Sequence, residues 1–355
     1  MTIPTEPIGS IPRPAELIAA WVERQSGRIP VERFNEIADR ALRDTIRRFQ
    51  DTGSPIITDG EQTKSSFATY PLDGASGLAS DGIVVPFEDG HTRQLPRLVV
   101  GPFRYATHAS TYLAATKRLT TLPVKQAVIS ASALSLLYPI AGIPGYPREA
   151  FLSDLVDEAA ADIRQCLELG ADSVQIDFTE GRLSLKLDPS GGLLESFVAL
   201  NNQVLDRFSP QEQRRIGVHT CPGGDRDATH SAGIDYAGLL PALFRLQAGR
   251  FYLQLASERD PRAVLEIVRQ HRQPEQTVFV GVTDPINPAV ETPEQVRDRI
   301  LLAAEYLPLS ALGTTDDCGF APFADDASTS REVAFQKISA RVAGTALAAQ
   351  QLIAT

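Results

Sequence analysis

Eight short apolar, β-branched runs alternate with longer helix-like stretches along this chain, and that rhythm constrains the fold more than any other feature. The runs Glu6–Ser10, Pro55–Asp59, Val124–Ser130, Ser173–Asp177, Ile216–Cys221, Phe251–Leu255, Val278–Val282 and Ser310–Thr314 are expected to be strands. Between them the spacing predicts helices over Val31–Thr52, Ala109–Arg118, Arg148–Leu169, Leu193–Arg207, Tyr236–Leu246, Pro261–Arg272, Thr292–Tyr306 and Ser330–Ala349. Thr292-Pro293-Glu294-Gln295 carries the marks of a helix start, and Gly53 and Gly170 sit where helices should stop. Strand–helix alternation repeated this often predicts an α/β chain closed as a TIM-type (β/α)8 barrel. An open doubly wound sheet fits less well, because no glycine-rich phosphate fingerprint follows the first strand. Residues 73–101 break the rhythm, and DGIVVPFEDGHTRQLPRLVVG reads as a β-hairpin-rich insertion after the second strand, capping one end. No repeat or linker divides the chain, so a single domain over residues 1–355 is expected.

The bulk numbers exclude several classes. A net charge of −10 without a Lys/Arg-rich run speaks against a nucleic-acid surface. Three cysteines in 355 residues are too few for a disulfide scaffold, which suggests a reducing compartment. The opening MTIPTEPIGSIPRP lacks the basic start and apolar core of a signal peptide, and no apolar run has the length of a membrane helix. A cytoplasmic protein is expected.

In such barrels chemistry sits where strands give way to loops at their carboxyl ends. Those ends are unusually polar here: Ser10, Asp59-Gly60-Glu61, Asp177 with Glu180, His219 with Cys221, Gln254 with Glu258, Asp284, and Asp316-Asp317-Cys318. His219 and Cys221 are two apart, so on a strand both side chains leave the same face and can reach one ion. Alone the pair also reads as a buried cysteine beside a hydrogen-bonded histidine. Cys318 at the end of the eighth run turns the reading toward a mononuclear zinc site, while Cys166 falls in a helical pattern and is expected to be a core thiol. Glu61 and Asp177 are helix caps or surface acids on one reading and a cradle for an ammonium group on the other. Ser10 after Gly9 offers hydroxyl and backbone donors to a carboxylate. Lys64, Lys125 and Arg182 would assist an anionic group, or are ion-paired.

As an ordered set these landmarks resemble the cobalamin-independent methionine synthase family, in its C-terminal catalytic barrel. The matching segments are Ile8-Gly9-Ser10, Gly60-Glu61, Gln175-Ile176-Asp177, His219-Thr220-Cys221, Asp284-Pro285 with Val290-Glu291, and Asp317-Cys318-Gly319. The resemblance implies a TIM barrel, a zinc ion held by His219, Cys221 and Cys318, and alkyl transfer to a zinc-bound thiol. It also implies that Ser10, Glu61 and Asp177 contact the amino-acid part of a homocysteine-like substrate. The implied activity is that of a 5-methyltetrahydropteroyltriglutamate–homocysteine S-methyltransferase, with folate or a corrinoid protein as alternative methyl sources.

The chain departs from the family pattern in three places. It has length for one barrel where the full family enzyme has two. The family's fourth ligand, a glutamate on strand six, is matched here by Gln254, with Glu258 or Asp317 as substitutes. Its strand-seven histidine is missing, since this chain reads Val282-Thr283-Asp284-Pro285. Glu180 and Asp284 are the candidate acids that would serve the leaving group. Other readings stay open: thiol addition to an epoxide, a non-catalytic zinc- or thiol-binding relative, and a lyase resembling uroporphyrinogen decarboxylase. The last of these predicts arginines around the cleft rather than acids and thiols.

Overall fold

A computed structural model describes residues 2–223, 229–231 and 233–353. Six parallel strands form its centre and pair strictly in chain order. Four short strands precede them: β1 (Leu78–Ala79), β2 (Val84–Pro86), β3 (Thr92–Gln94) and β4 (Arg97–Leu98). The central strands are β5 (Lys125–Ile129), β6 (Ser173–Asp177), β7 (Ile216–Thr220), β8 (Arg250–Leu253), β9 (Thr277–Gly281) and β10 (Leu312–Thr315). β5 to β7 are buried along their whole length, as parallel strands covered on both faces must be.

The first two expected strands are reduced to single parallel bridges, Thr5 with Thr314 and Ile57 with Val124. The second of these segments is soon diverted by a turn. Gly60 and Glu61 adopt left-handed φ values of 65° and 53° immediately after the second segment. The two segments nevertheless touch, since Ile11 N donates to Gly60 O at 3.0 Å.

The helices are α1 (Ala15–Gln25), α2 (Val31–Asp51), α3 (Ser110–Lys117), α4 (Ala131–Ser135), α5 (Arg148–Glu168), α6 (Glu180–Leu187), α7 (Gly192–Leu205), α8 (Pro210–Gln213), α9 (Tyr236–Leu243), α10 (Pro261–His271), α11 (Pro293–Ala304) and α12 (Arg331–Ile353). Helix α11 starts on the expected Thr292 capping box. Cys166 on α5 is a buried core thiol, as expected. Four helices escape the sequence reading: the short α4 and α8, α1, whose apolar positions start directly after a proline-rich segment, and α6, which begins at a strand-end acid.

Within the 73–101 segment, β1 pairs with β4 and β2 with β3, both antiparallel. Outside the sheet, Ile216 and Val218 of β7 join the large core shared with the helices. On its other face, Ile8, Tyr252 and Phe279 form a small separate cluster. Two glycines make room there: a Cβ on Gly217 would lie 2.5 Å from the Tyr252 ring, and one on Gly313 would lie 2.5 Å from Phe279. No helix among the described residues is long and apolar enough to cross a membrane.

Candidate metal centre

The carboxyl end of β7 presents His219, and Cys221 follows one residue past the strand. Cys318 lies three residues beyond β10. The ligating atoms of these three buried residues all fall within 4.8 Å of one another. The strand parity expected from the sequence therefore works, and the third donor arrives from almost 100 residues downstream. Asp177 sits beside His219 in the ladder register of β6 and β7, with its Oδ1 3.1 Å from His219 Nδ1. The other ring nitrogen, Nε2, is buried and has no hydrogen-bond partner among the described residues.

Two sulfurs and one imidazole nitrogen form a donor set that suits zinc, in which tetrahedral ligand atoms stand roughly 3.5–3.8 Å apart. An orphaned Nε2 in the same cluster is what such an ion would satisfy. Electrostatics of the bare cluster point the same way. Burial opposes ionisation of Cys221, but the Cys318 thiol and the His219 charge outweigh it and hold Cys221 down to about 5. His219 loses to burial and gains more from Cys221 and Asp177, rising to about 10. Burial and the neighbouring Cys221 push the Cys318 thiol well up.

The cluster opens into a cavity of about 600 Å³ that Ser10, Glu61, Asp177 and Glu180 also line. Glu61 is buried and pairs with Lys64 Nζ at 3.1 Å, and burial raises its carboxyl to about 7. Its backbone is held by Arg13, which donates to Glu61 O at 2.7 Å, and by Asp59 Oδ1, which accepts from Glu61 N at 2.9 Å. A non-glycine residue with φ of 53° costs of order 1 kcal/mol or more and persists where its surroundings enforce it. Ser10 Oγ accepts from Ala321 N at 3.2 Å, beside the turn that carries Cys318. A side chain at Gly319 would collide with that hydroxyl, the Cβ lying 2.1 Å away. Glu180 Oε1 accepts from Ser130 and Ser132, while Oε2 is buried without a partner among the described residues.

Other expected residues lie apart from this group. Asp284 does not line the cavity; its Oδ1 accepts from Ile286 N at 2.9 Å, and its own N donates to Glu291 at 2.8 Å. Gln254 is buried outside the cavity lining and donates to Glu258 at 2.8 Å, and Glu258 pairs with Arg182 at 3.1 Å. Asp317 accepts from the backbone of Leu255, Ala256 and Ser257 at 2.8–2.9 Å, so it clasps the loop after β8. Lys64, Lys125 and Arg182 are buried and bonded to protein acceptors.

The sequence reading missed the far wall of the cavity. Trp21 of α1, Phe87 and Arg93 of the hairpin segment, His230 and Phe323 line it. Arg93 stacks over Phe323 at 3.8 Å and pairs with Asp325 and Asp326 at 3.0 and 3.2 Å. These contacts join positions more than 200 residues apart and leave no local signature.

Fold and site together define a parallel α/β protein with an imidazole–dithiol centre at the carboxyl ends of its strands. The family described as the cobalamin-independent synthase catalytic domain matches residues 3–336, and the chain belongs to that family. It is 22% identical over 359 residues to a methionine synthase of Sulfurisphaera tokodaii, covering 99% of this chain and 94% of that one. A methionine synthase of Pyrococcus furiosus is 23% identical over 348 residues, covering 95% and 90%. The fold matches a B12-independent methionine synthase from Shewanella sp. W3-18-1, solved with selenomethionine, with a TM-score of 0.77 at 21% identity over 100% of both chains.

Proposed function

We propose that this chain is a zinc-dependent S-methyltransferase acting on a homocysteine-like thiol, working in the cytoplasm as one unit over residues 1–355. The observation that carries the reading is the gathering of His219, Cys221 and Cys318 donor atoms within 4.8 Å, with His219 Nε2 unpartnered. Family membership and relatives named methionine synthase support it. The segments around Thr5 and Ile57 are taken as the first two staves of a closed eight-stave barrel. Thr58 Oγ1 donating to Gly9 O at 2.8 Å supports that closure. The paired strands of residues 73–101 are taken as an insertion over the barrel mouth.

His219, Cys221 and Cys318 would hold the zinc. The ion, when bound, supplies Lewis-acid stabilisation that keeps a substrate thiol deprotonated near neutral pH. Gln254 remains the candidate fourth ligand by sequence position, although its amide is already bonded to Glu258.

Glu61 and Asp177 line the same cavity and would receive the substrate ammonium, orienting its sulfur. Ser10, whose Oγ accepts from Ala321 N, keeps its own proton free to donate to the substrate carboxylate. In the transfer the sulfur–methyl bond forms as the methyl–donor bond breaks, and the electron pair leaves with the donor atom. Glu180 can supply the proton that atom takes up, because burial raises its carboxyl to about 7. A methylated tertiary amine, as in 5-methyltetrahydropteroyltriglutamate, is a donor that needs such a proton.

Zinc-edge X-ray absorption on the purified protein with and without homocysteine tests the reading. One additional sulfur should enter the zinc shell on adding thiol, and Cys318→Ser should remove one protein sulfur. Protein that stays metal-free in excess zinc, or a zinc shell unchanged by homocysteine, would overturn it.

A further inference from the structure

A row of buried side chains leads from the floor of the sheet to His219. Lys125 Nζ donates to Gln175 Oε1 at 2.7 Å, and Gln175 Nε2 donates to Asp177 Oδ1 at 2.8 Å. Asp177 Oδ1 in turn lies 3.1 Å from His219 Nδ1. The strands dictate the row: Gln175 and Asp177 are two apart on β6, and Asp177 is the ladder partner of His219 on β7. Lys125 is fixed from below, its ammonium 3.9 Å from the Tyr252 ring centre and 3.7 Å from Glu6. Glu6 is anchored by Arg250 at 2.7 Å and by the Tyr252 hydroxyl at 2.6 Å.

The row has only one consistent polarity. An ammonium donates and does not accept, so the Gln175 carbonyl must face Lys125. The two ends of an amide have nearly the same shape, and without such a neighbour either could point either way. With the carbonyl committed, the Gln175 NH2 must face Asp177. An ionised carboxylate only accepts, so the hydrogen between Asp177 and His219 belongs to Nδ1. In the neutral ring, the form a metal binds, Nε2 is then the nitrogen with the lone pair, and it is the atom left without a partner among the described residues.

We propose that Lys125 and Gln175 are positioning residues that fix the His219 tautomer offering Nε2 to the metal. The proposal rests on the metal centre described above and assigns a task to two residues outside the ligand set. Lys125, in particular, does not line the cavity and is kept from any substrate by the side chains above it.

The test is zinc affinity of the full chain, measured by competition with a chromophoric chelator. Gln175→Glu keeps the shape and the acceptor for Lys125 but cannot donate to Asp177, and it should weaken zinc binding about 10–100-fold. Lys125→Met removes the polarity lock and should weaken it about tenfold. A purely structural role would lower the melting temperature and leave the zinc constant alone. If the parent binds zinc and both variants stay within threefold of it, the proposal falls while the metal centre stands. If the parent binds no zinc, the metal centre falls and takes the proposal with it. Cadmium-113 NMR of the unmutated protein decides the case where the variants do not fold. Coupling of the metal to Nε2 with a hydrogen retained on Nδ1 supports the assignment, and coupling to Nδ1 overturns it.

Discussion

Glu180 has one carboxylate oxygen tied to two serine hydroxyls and the other buried with no partner among the described residues. Burial lifts it from an ordinary value near 4.5 to about 7. The folded chain therefore holds a proton between those values that the unfolded chain has released, and stability falls as pH rises across that window. Glu180→Gln should flatten this part of the pH dependence in urea melts taken from pH 4 to pH 8. If Glu180 donates the proton in the transfer, the same variant should lower kcat about 10²–10⁴-fold. In the parent, kcat should decline above pH 7 as the donor ionises. Asp284 offers the contrast, because it caps its own loop and does not line the cavity. Asp284→Asn can still accept from Ile286 N, so kcat should stay within about threefold, an effect below 1 kcal/mol. A loss as large as that of Glu180→Gln would return Asp284 to the chemistry.

The strand and hairpin elements carry predictions of their own. Gly313 on β10 abuts the Phe279 ring, which stacks on Tyr252 at 4.8 Å. Gly313→Ala forces an extra carbon into this closed space and should destabilise the protein by about 1–3 kcal/mol, read from the urea midpoint. Arg93 links the β2–β3 hairpin to Asp325, Asp326 and Phe323 across the cavity. Arg93→Ala leaves the buried Asp326 without this cation and should lower the melting temperature by a few degrees, for a loss of about 1–3 kcal/mol. It should also raise KM for whichever substrate lies against that wall more than it lowers kcat. The sequence indicated paired strands in residues 73–101 from their turn residues, yet nothing local pointed to the cavity wall they form. Period-two and period-3.6 patterns report which face is buried, and they are silent on what covers it. For the same reason the convergence of His219 and Cys221 was legible from parity, whereas the placement of Asp284 outside the cavity lining was not, because a short Asp-headed turn looks the same as a strand-end acid.

At the scale of the whole molecule, Arg13 is the tie that spans the chain. Its buried guanidinium donates to Ala321 O and Phe323 O at 3.3 and 2.7 Å, and to Glu61 O and Lys64 O at 2.7 and 3.0 Å. Arg13→Ala removes four hydrogen bonds and strands the Ala321 and Lys64 carbonyls, while Glu61 O and Phe323 O keep Lys64 N and Asp326 N as donors. The change should cost roughly 3 kcal/mol, with a lower transition temperature in calorimetry. Arg13→Lys should recover only part of this, because an ammonium lacks the planar fork. The eightfold alternation made the parallel sheet and its order readable, since each strand pairs with its chain neighbour. The two opening segments were overestimated as strands: the first keeps a single bridge at Thr5, and the apolar run of the second is soon turned aside at Gly60 and Glu61.

The separation of Cys318 from Cys221 also bears on how the chain is made. A ribosome adding about 5–20 residues per second reaches the third donor several seconds after it has passed the first two. Through that interval the nascent polypeptide carries two of the three candidate donors. In the zinc-loaded protein proposed above, capture of the ion by all three donors would therefore be a late event of biogenesis.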